Sequence, residues 1–297
     1  MNKKGWLIYN SGLISNKFSE IHQWYIKTAK KHAIDLVGIP NQALIPSVLN
    51  NRLTIQHNGL TPDFVLYLDK DISLANQLES IGIPLFNSAQ TIELCDNKIS
   101  MHQQLAMSKL PQPDTIFAPM LFQDMKNPSE HFLTEVEQQL DYPLVIKEAF
   151  GSFGQQVYLI KNRDELEQMA KKLIRIPHLF QRYLPSSHGK DVRIHVVGDQ
   201  VVAAMQRQSS TDFRANITSG GQMFHFKPDE SFCQVAINAS KAVGADFSGV
   251  DLLFGENGEP IICEVNSNAH IKNIHDCTGI DVTETIFTYI LNQLAEK

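Results

Sequence analysis

The sequence predicts a mixed protein, α/β at its N-terminal end and α+β beyond it. Three observations carry this expectation. Residues 1–90 alternate short apolar runs with helical periods, later residues hold long paired β runs, and 43% apolar positions over 297 residues can bury a sizeable core.

Taken in order, Trp6 to Tyr9 reads as a strand, followed by Phe18, Ile21, Tyr25 and Ala29 at helical spacing. Strands follow at Ile34 to Ile39 and Phe64 to Leu68. A helix from Ile72 to Ser80, a strand at Ile83 to Phe86 and a helix opened by Asn87 or Ser88 complete a small α/β layer, which places a boundary near residue 90. A helix around Lys98 to Lys109 then stops at Pro111 and Pro113, before a short strand at Thr115 to Ala118 and a polar loop at Gln123 to Ser129. Strands at Leu144 to Glu148 and Val157 to Ile160 flank a glycine loop, and a helix from Asp164 to Ile174 precedes a strand from Leu179 to Leu184. Two long β runs, Val192 to Val197 and Val201 to Arg207, are joined through Gly198-Asp199-Gln200 as a hairpin. Helices at Glu230 to Val243 and near Val282 to Leu294 bracket a last hairpin, and no repeat or low-complexity segment interrupts the chain.

Composition excludes several classes. A net charge of -6 and a pI near 6.0 give no electrostatic footprint for nucleic acid or an anionic membrane, although a basic protein substrate would still be attracted. The cysteines Cys95, Cys233, Cys263 and Cys277 show no C-x-x-C spacing, so reduced thiols and a cytoplasmic location are expected. Residues 1–10 turn polar after a few apolar positions, short of a signal-peptide core or a membrane span.

The last hairpin carries the most chemistry. In Gly249-Val250-Asp251-Leu252-Leu253-Phe254 and Pro260-Ile261-Ile262-Cys263-Glu264-Val265-Asn266, strand alternation points Glu264 and Asn266 to one side. The turn Gly255-Glu256-Asn257-Gly258 brings Asp251 alongside them. Two carboxylates and an amide oxygen suit a hard cation such as magnesium, which takes its remaining ligands from water and substrate phosphates. The same residues also fit an ordinary hairpin with solvated acids. Lys147 ends an apolar strand just before Gly151-Ser152-Phe153-Gly154, where small residues let backbone amides approach phosphate oxygens and the ammonium supplies countercharge. No G-K-[ST] follows, so this is not a Walker loop, and a plain glycine turn beside a solvated lysine is the bland alternative. Lys98, near a helix start, gains nothing from the helix dipole and fits a second phosphate contact or a surface position. Gly189-Lys190-Asp191-Val192-Arg193 offers a carboxylate for ribose hydroxyls and a guanidinium for an anion. Arg207, followed by Asp212-Phe213-Arg214-Ala215-Asn216 and Gly220-Gly221, adds cations that neutralise charge developing during phosphoryl or acyl transfer, or else a solvated loop.

This order of features, a lysine, a strand lysine with a glycine loop, D-x-R, an arginine loop and D…E-x-N, resembles the ATP-grasp superfamily and within it the RimK-type carboxylate–amine (alpha-L-glutamate) ligases. The resemblance covers residues from about 83 to 290 and is most specific at G-K-D-V-R, V-V-G-D-Q-V-V-A-A, D-F-R-A-N and G-V-D-L-L…E-V-N. It implies an ATP-grasp fold with an N-terminal α/β domain (1–90), a central lobe with the glycine lid (91–178) and a C-terminal lobe with the metal site (179–297). By it, Lys98 and Lys147 hold ATP phosphates under Gly151, Ser152, Phe153 and Gly154. Gln181, Arg182, Tyr183 and Leu184 lie against adenine, and Asp191 and Arg193 complete the nucleotide contacts. Arg214, Ala215 and Asn216 form the wall near the phosphates and substrate, Arg207 steadies the acyl phosphate, and Asp251, Glu264 and Asn266 carry magnesium, or manganese in its place. The implied reaction is phosphorylation of a carboxylate by ATP and attack by an amine on the acyl phosphate, a matter of positioning and charge neutralisation.

Three departures stand out. Arg182 replaces the family's usual glutamate, the glycine loop ends Gln155-Gln156 where a final glycine is usual, and Ser267-Asn268-Ala269-His270-Ile271-Lys272-Asn273 replaces small-Ser-Pro-Gly. That last segment looks nearer the lysine-biosynthesis ligases that act on a carrier protein, so Asn268, His270 and Lys272 are expected to read the substrate, Lys272 foremost. The expected partners are an amino acid, peptide or protein-tail substrate with an amine co-substrate, and the family often forms homo-oligomers. The alternative is a regulatory protein that keeps the ATP site without turnover, as synapsin-like members suggest.

Overall fold

The N-terminal layer is parallel: β1 (Lys3–Tyr9), β2 (Ile34–Pro40), β5 (Phe64–Leu68) and β6 (Leu85–Phe86) stand in the order β2-β1-β5-β6. The structure, a computed structural model, describes residues 2–57, 59, 61–122, 124, 127–151, 154–215 and 220–296. All five residues of β5 are buried, as expected of a central strand covered on both faces. The helix α1 (Asn16–Lys31) covers one face through Ile21, Tyr25 and Ala29, and α2 (Ile72–Ser80) covers the other through Leu74, Ala75 and Leu78. Chain connections leave β1 and β5 in opposite directions, so the crevice at their C-terminal ends is a topological switch point. A hairpin of β3 (Ile45–Leu49) and β4 (Arg52–Gln56), not anticipated above, turns through Asn50 and Asn51, whose φ values of 51 and 58 suit asparagine in such a turn.

The helices α3 (Ala89–Asp96), capped by Ser88, and α4 (Lys98–Met107), capped by Asn97, lead to the central sheet. Its strands β7 (Thr115–Phe117), β8 (Leu144–Glu148), β9 (Val157–Ile160) and β10 (His178–Arg182) run antiparallel in the order β7-β10-β8-β9. The helices α5 (Glu130–Leu140) and α6 (Arg163–Lys172) bury Leu133, Val136, Leu140 and Leu166 against Leu144, Ile146 and Phe180. β10, expected to open the C-terminal lobe at residue 179, pairs with β8 and β7 instead, so the central sheet runs on to Arg182.

The C-terminal sheet holds β11 (Lys190–Val197), β12 (Gln200–Gln208), β13 (Gln222–His225), β14 (Phe247–Phe254) and β15 (Pro260–Asn266) in the order β13-β12-β11-β14-β15. Val192, Ile194, Val250, Leu252 and Val265 pack under α7 (Glu230–Ala242) and α4. On the other side, Ala203, Met205 and Phe247 pack with α8 (Ile271–Thr278) and α9 (Val282–Ala295), and this core continues without a break into Leu7, Ile21, Tyr25 and Leu66 of the N-terminal layer. Buried Asn87 ties the same layers together: its Nδ2 donates to the Phe247 and Ser267 carbonyls at 2.9 and 2.8 Å, and its Oδ1 accepts from Asp246 N at 2.7 Å. No helix among the described residues is long and apolar enough to cross a membrane.

Candidate active site

A cavity of about 460 Å³, a usual size for a small-molecule site, opens where the three layers meet. One wall is the polar face of the C-terminal sheet, and strand register explains its order. Arg207 of β12 stands opposite Asp191 of β11, Arg193 of β11 opposite Asp251 of β14, and Asp251 opposite Glu264 of β15. Cations face acids across β12, β11 and β14, the two acids Asp251 and Glu264 stand side by side across β14 and β15, and cross-strand neighbours on one face are close enough to bond.

Arg207 donates to both Asp191 oxygens at 2.6 Å and approaches Asp251 Oδ2 at 2.9 Å. Arg193 donates to both Asp251 oxygens at 2.6 Å. Burial alone would raise the Asp251 carboxyl, but the two guanidinium charges outweigh it and hold the pKa down at about 2. For Asp191 burial pushes the carboxyl up against the pull of Arg207. Arg207 loses from burial too, yet Asp191 and Asp251 keep its pKa above the usual value. Asp191 and Arg193, expected to meet ribose and an anion, both line the cavity, and each also bonds its cross-strand partner, because a buried charge left alone on this face is costly.

Asp251, Glu264 and Asn266 all line the cavity, as the alternation predicts. Asn266 Nδ2 donates to the Gly249 carbonyl at 3.4 Å, which leaves its amide oxygen as the acceptor facing the site. Among the described residues no three His, Cys, Asp or Glu side chains gather, so a zinc-type cluster is not present in this part of the chain. Two carboxylates with an amide oxygen fit a hard cation that draws its other ligands from phosphate and water.

The opposite wall supplies positive charge. Lys98, first residue of α4, lies 3.2 Å from Glu264 Oε1 and donates to the Gly151 carbonyl at 3.1 Å. Lys147, near the end of β8, is buried with its Nζ 3.5 Å from Cys263 Sγ. Gly151 and Gly154 line the cavity between these lysines and Arg214, whose guanidinium donates to the Gly154 carbonyl and is braced by Asp212. Ala215 lies beside them, whereas Ser152, Phe153 and Asn216 lie outside the described residues.

Gln181, Arg182, Tyr183 and Leu184 also line the cavity. Gln181 Nε2 donates to Thr115 Oγ1 at 2.9 Å and meets the buried His102, whose pKa is driven down to about 3 by burial and then by Lys147. The Arg182 guanidinium turns outward to Asp114 and the Gln139 and Leu140 carbonyls, and its N–H is used on the Asp114 carbonyl.

The substrate candidates divide. Asn268 lines the cavity and donates to the Leu68 carbonyl at 3.0 Å. His270, at the N-cap of α8 and against Phe18, lines it too, with its pKa lowered to about 4 by burial and then by Lys17 and Arg193. Lys272 does not: it sits on the solvent side of α8 and pairs with Asp276 at 2.8 Å. The segment was expected to present Lys272 foremost, but α8 begins at Ile271, and helical spacing sends 270 and 273 to the cavity and 272 away. Sequence reasoning missed Asn10, Lys17, Asp69 and Lys70 of the N-terminal layer, which close the far end. Their signal was a polar residue just after each apolar parallel strand, Asn10 after β1 and Asp69 after β5.

Comparison with known proteins gives the family and the fold. Residues 95–290, more than half of the chain, match the RimK-like ATP-grasp domain. Human N-acetylaspartylglutamate synthase A is 35% identical over 233 residues, covering 77% of this chain and 58% of that enzyme. An uncharacterized protein of Mycoplasma pneumoniae is 34% identical over 212 residues, covering 70% of this chain and 73% of its own length. In fold, the VanG D-Ala:D-Ser ligase of Enterococcus faecalis superposes with a TM-score of 0.74 at 18% identity over 99% of this chain and 100% of that one. With the ordered motifs seated around one cavity, this chain belongs to the RimK-like ATP-grasp family.

Proposed function

We propose that this chain is an ATP-dependent carboxylate–amine ligase that joins the carboxylate of an amino acid or peptide to an amine through an acyl phosphate. The observation that carries the reading is the facing of Asp251, Glu264 and Asn266 against Lys98 and Lys147 across one cavity. Two buried lysines and Arg214 beside the glycine loop neutralise a polyphosphate, and each buried cation there is worth more than in water. When bound, magnesium held by Asp251, Glu264 and Asn266 supplies Lewis-acid charge at the phosphate oxygens. The chain's own residues position the reactants. A substrate carboxylate oxygen bonds to the γ-phosphorus while the bond to ADP breaks. The amine nitrogen then bonds to the carbonyl carbon, phosphate leaves with its electron pair, and the amine proton is released. Arg193 and Arg207 hold Asp251 ionised and oriented throughout. All four cysteines are free, which supports a reducing, cytoplasmic setting.

The human relative's name, N-acetylaspartylglutamate synthase, describes a product with an amide between two acidic units, and the cationic cavity supports acidic partners here as well. The test is a coupled ADP-release screen over amino acids and peptides in pairs, with mass spectrometry of the products. Release that requires both an acid and an amine is expected. Tight ATP binding with no release for any pair would favour a regulatory nucleotide-binding role instead.

A further inference from the structure

Beyond the nucleotide end, the cavity continues beneath the N-terminal layer to the switch point between β1 and β5. Asn10 Nδ2 donates to Asp69 Oδ1 at 3.0 Å, and the Lys70 N–H donates to the same oxygen at 2.7 Å. Asp69 is 5% exposed and its other oxygen, Oδ2, is buried without a donor. A buried carboxylate oxygen in that state is costly, so a donor brought by a ligand binds there with unusual gain. Lys17, in the first turn of α1, lines the same cavity, half-buried and without an acid partner among the described residues. Ser15 makes no side-chain cap at that helix start, which leaves the first amides of α1 open to an anion. Asn268 ties the end of β5 to the segment that follows Asn266, so the crevice adjoins the Asp251–Glu264–Asn266 set.

We propose that this crevice binds the α-amino acid that supplies the amine, with Asp69 Oδ2 accepting from its ammonium and Lys17, with the N-terminus of α1, holding its α-carboxylate. An acid with one bare oxygen and a cation without an acid partner, lining one cavity, match a zwitterion, and a molecule lacking either charge leaves the other group unpaired. The assignment rests on the ligase reading of the cavity, and two measurements keep their failures apart.

The first is equilibrium binding of the common L-amino acids to the full chain, with matched des-amino acids as controls, such as glutarate for glutamate. At least one amino acid is expected to bind at least about tenfold more tightly than its des-amino analogue, the scale of a hydrogen bond to a charged group. Asp69→Asn is expected to erase that preference, Lys17→Ala to weaken both ligands alike, and neither to change ATP affinity, which also establishes that both variants fold. The second is ADP release, where Asp69→Asn raises the KM of the amino acid and leaves that of the carboxylate partner unchanged. Binding of no amino acid, or an amino-over-des-amino preference that survives Asp69→Asn, overturns the crevice assignment. ADP release in the absence of such binding leaves the ligase reading standing and this assignment fallen.

Discussion

The two ends of the cavity are built on opposite electrostatic plans. At the nucleotide end Arg193, Arg207, Asp191 and Asp251 satisfy one another, and Lys98 reaches Glu264. At the N-terminal end Lys17 has no acid partner among the described residues and Asp69 has a bare oxygen. The difference teaches that the first end is set before any ligand arrives, whereas the second is completed by its ligand. Preorganised charge is what a phosphoryl-transfer centre requires, and unspent charge is what selects one substrate from its analogues.

The largest effect expected is on turnover. Asp251→Asn or Glu264→Gln should cut ADP release by several orders of magnitude while the fold persists, because a ligand charge opposite developing phosphate charge is lost. Near-native release by either variant would remove the metal assignment. Next comes stability, where the same truncation should behave differently at the two ends. Arg207→Ala strands Asp191 in a buried site, while Asp251 keeps Arg193, and should cost roughly 3–5 kcal/mol, whereas Lys17→Ala should change stability by at most about 0.5 kcal/mol. Denaturant titration of both variants gives the comparison directly, and equal costs would erase the contrast.

A third expectation concerns acid. His102 and His195 are buried, and burial first of all lowers both to about 3 from an ordinary 6.5. Their folded pKa lies below the unfolded one, so the unfolded chain binds more protons between these values. Stability is therefore lost as pH falls below about 6.5, with a slope approaching 1.4 kcal/mol per pH unit for each histidine. His102→Gln should flatten the curve of melting temperature against pH, and an unchanged slope would contradict the burial argument. The smallest effect belongs to Lys272→Ala, which should leave every KM within about twofold, since an exposed i,i+4 pair contributes only a few tenths of a kcal/mol. A selective rise in one substrate's KM would restore it to the site.

How far the sequence could be read follows the same division. The Asp251–Glu264–Asn266 arrangement was legible because the period of a strand is two and a short turn fixes register. Lys147 was legible only through the order of motifs around it, since alone a glycine turn beside a solvated lysine accounts for it as well. Lys272 was misplaced because α8 went unrecognised, and a helix rotates its side chains where a loop would present them in sequence. The helix α5 follows a polar stretch that reads as a loop, and its signal is confined to the helical spacing of Leu133, Val136 and Leu140. Asp69 and Asn10 were invisible for a different reason: a single polar residue after a strand acquires meaning only when the strand order is known.

The unbroken core between the N-terminal layer and the C-terminal sheet bears on how this chain can be dissected. Leu7, Ile21 and Tyr25 share one apolar cluster with Ile274, Ile286 and Phe287. Trp24 Nε1 donates to Asp281 at 2.8 Å, and Thr283 Oγ1 donates to Thr28 Oγ1 at 3.0 Å along the same seam. The region that matches the family, residues 95–290, omits α1 and β1 and stops inside α9. The stretch that matches the family model and the packed core therefore have different limits in this protein. A fragment trimmed to residues 95–290 exposes the apolar side of α8 and α9 to water and should aggregate, whereas the central sheet, with its own cluster around Leu133, Ile146 and Phe180, is the part whose removal leaves that seam intact.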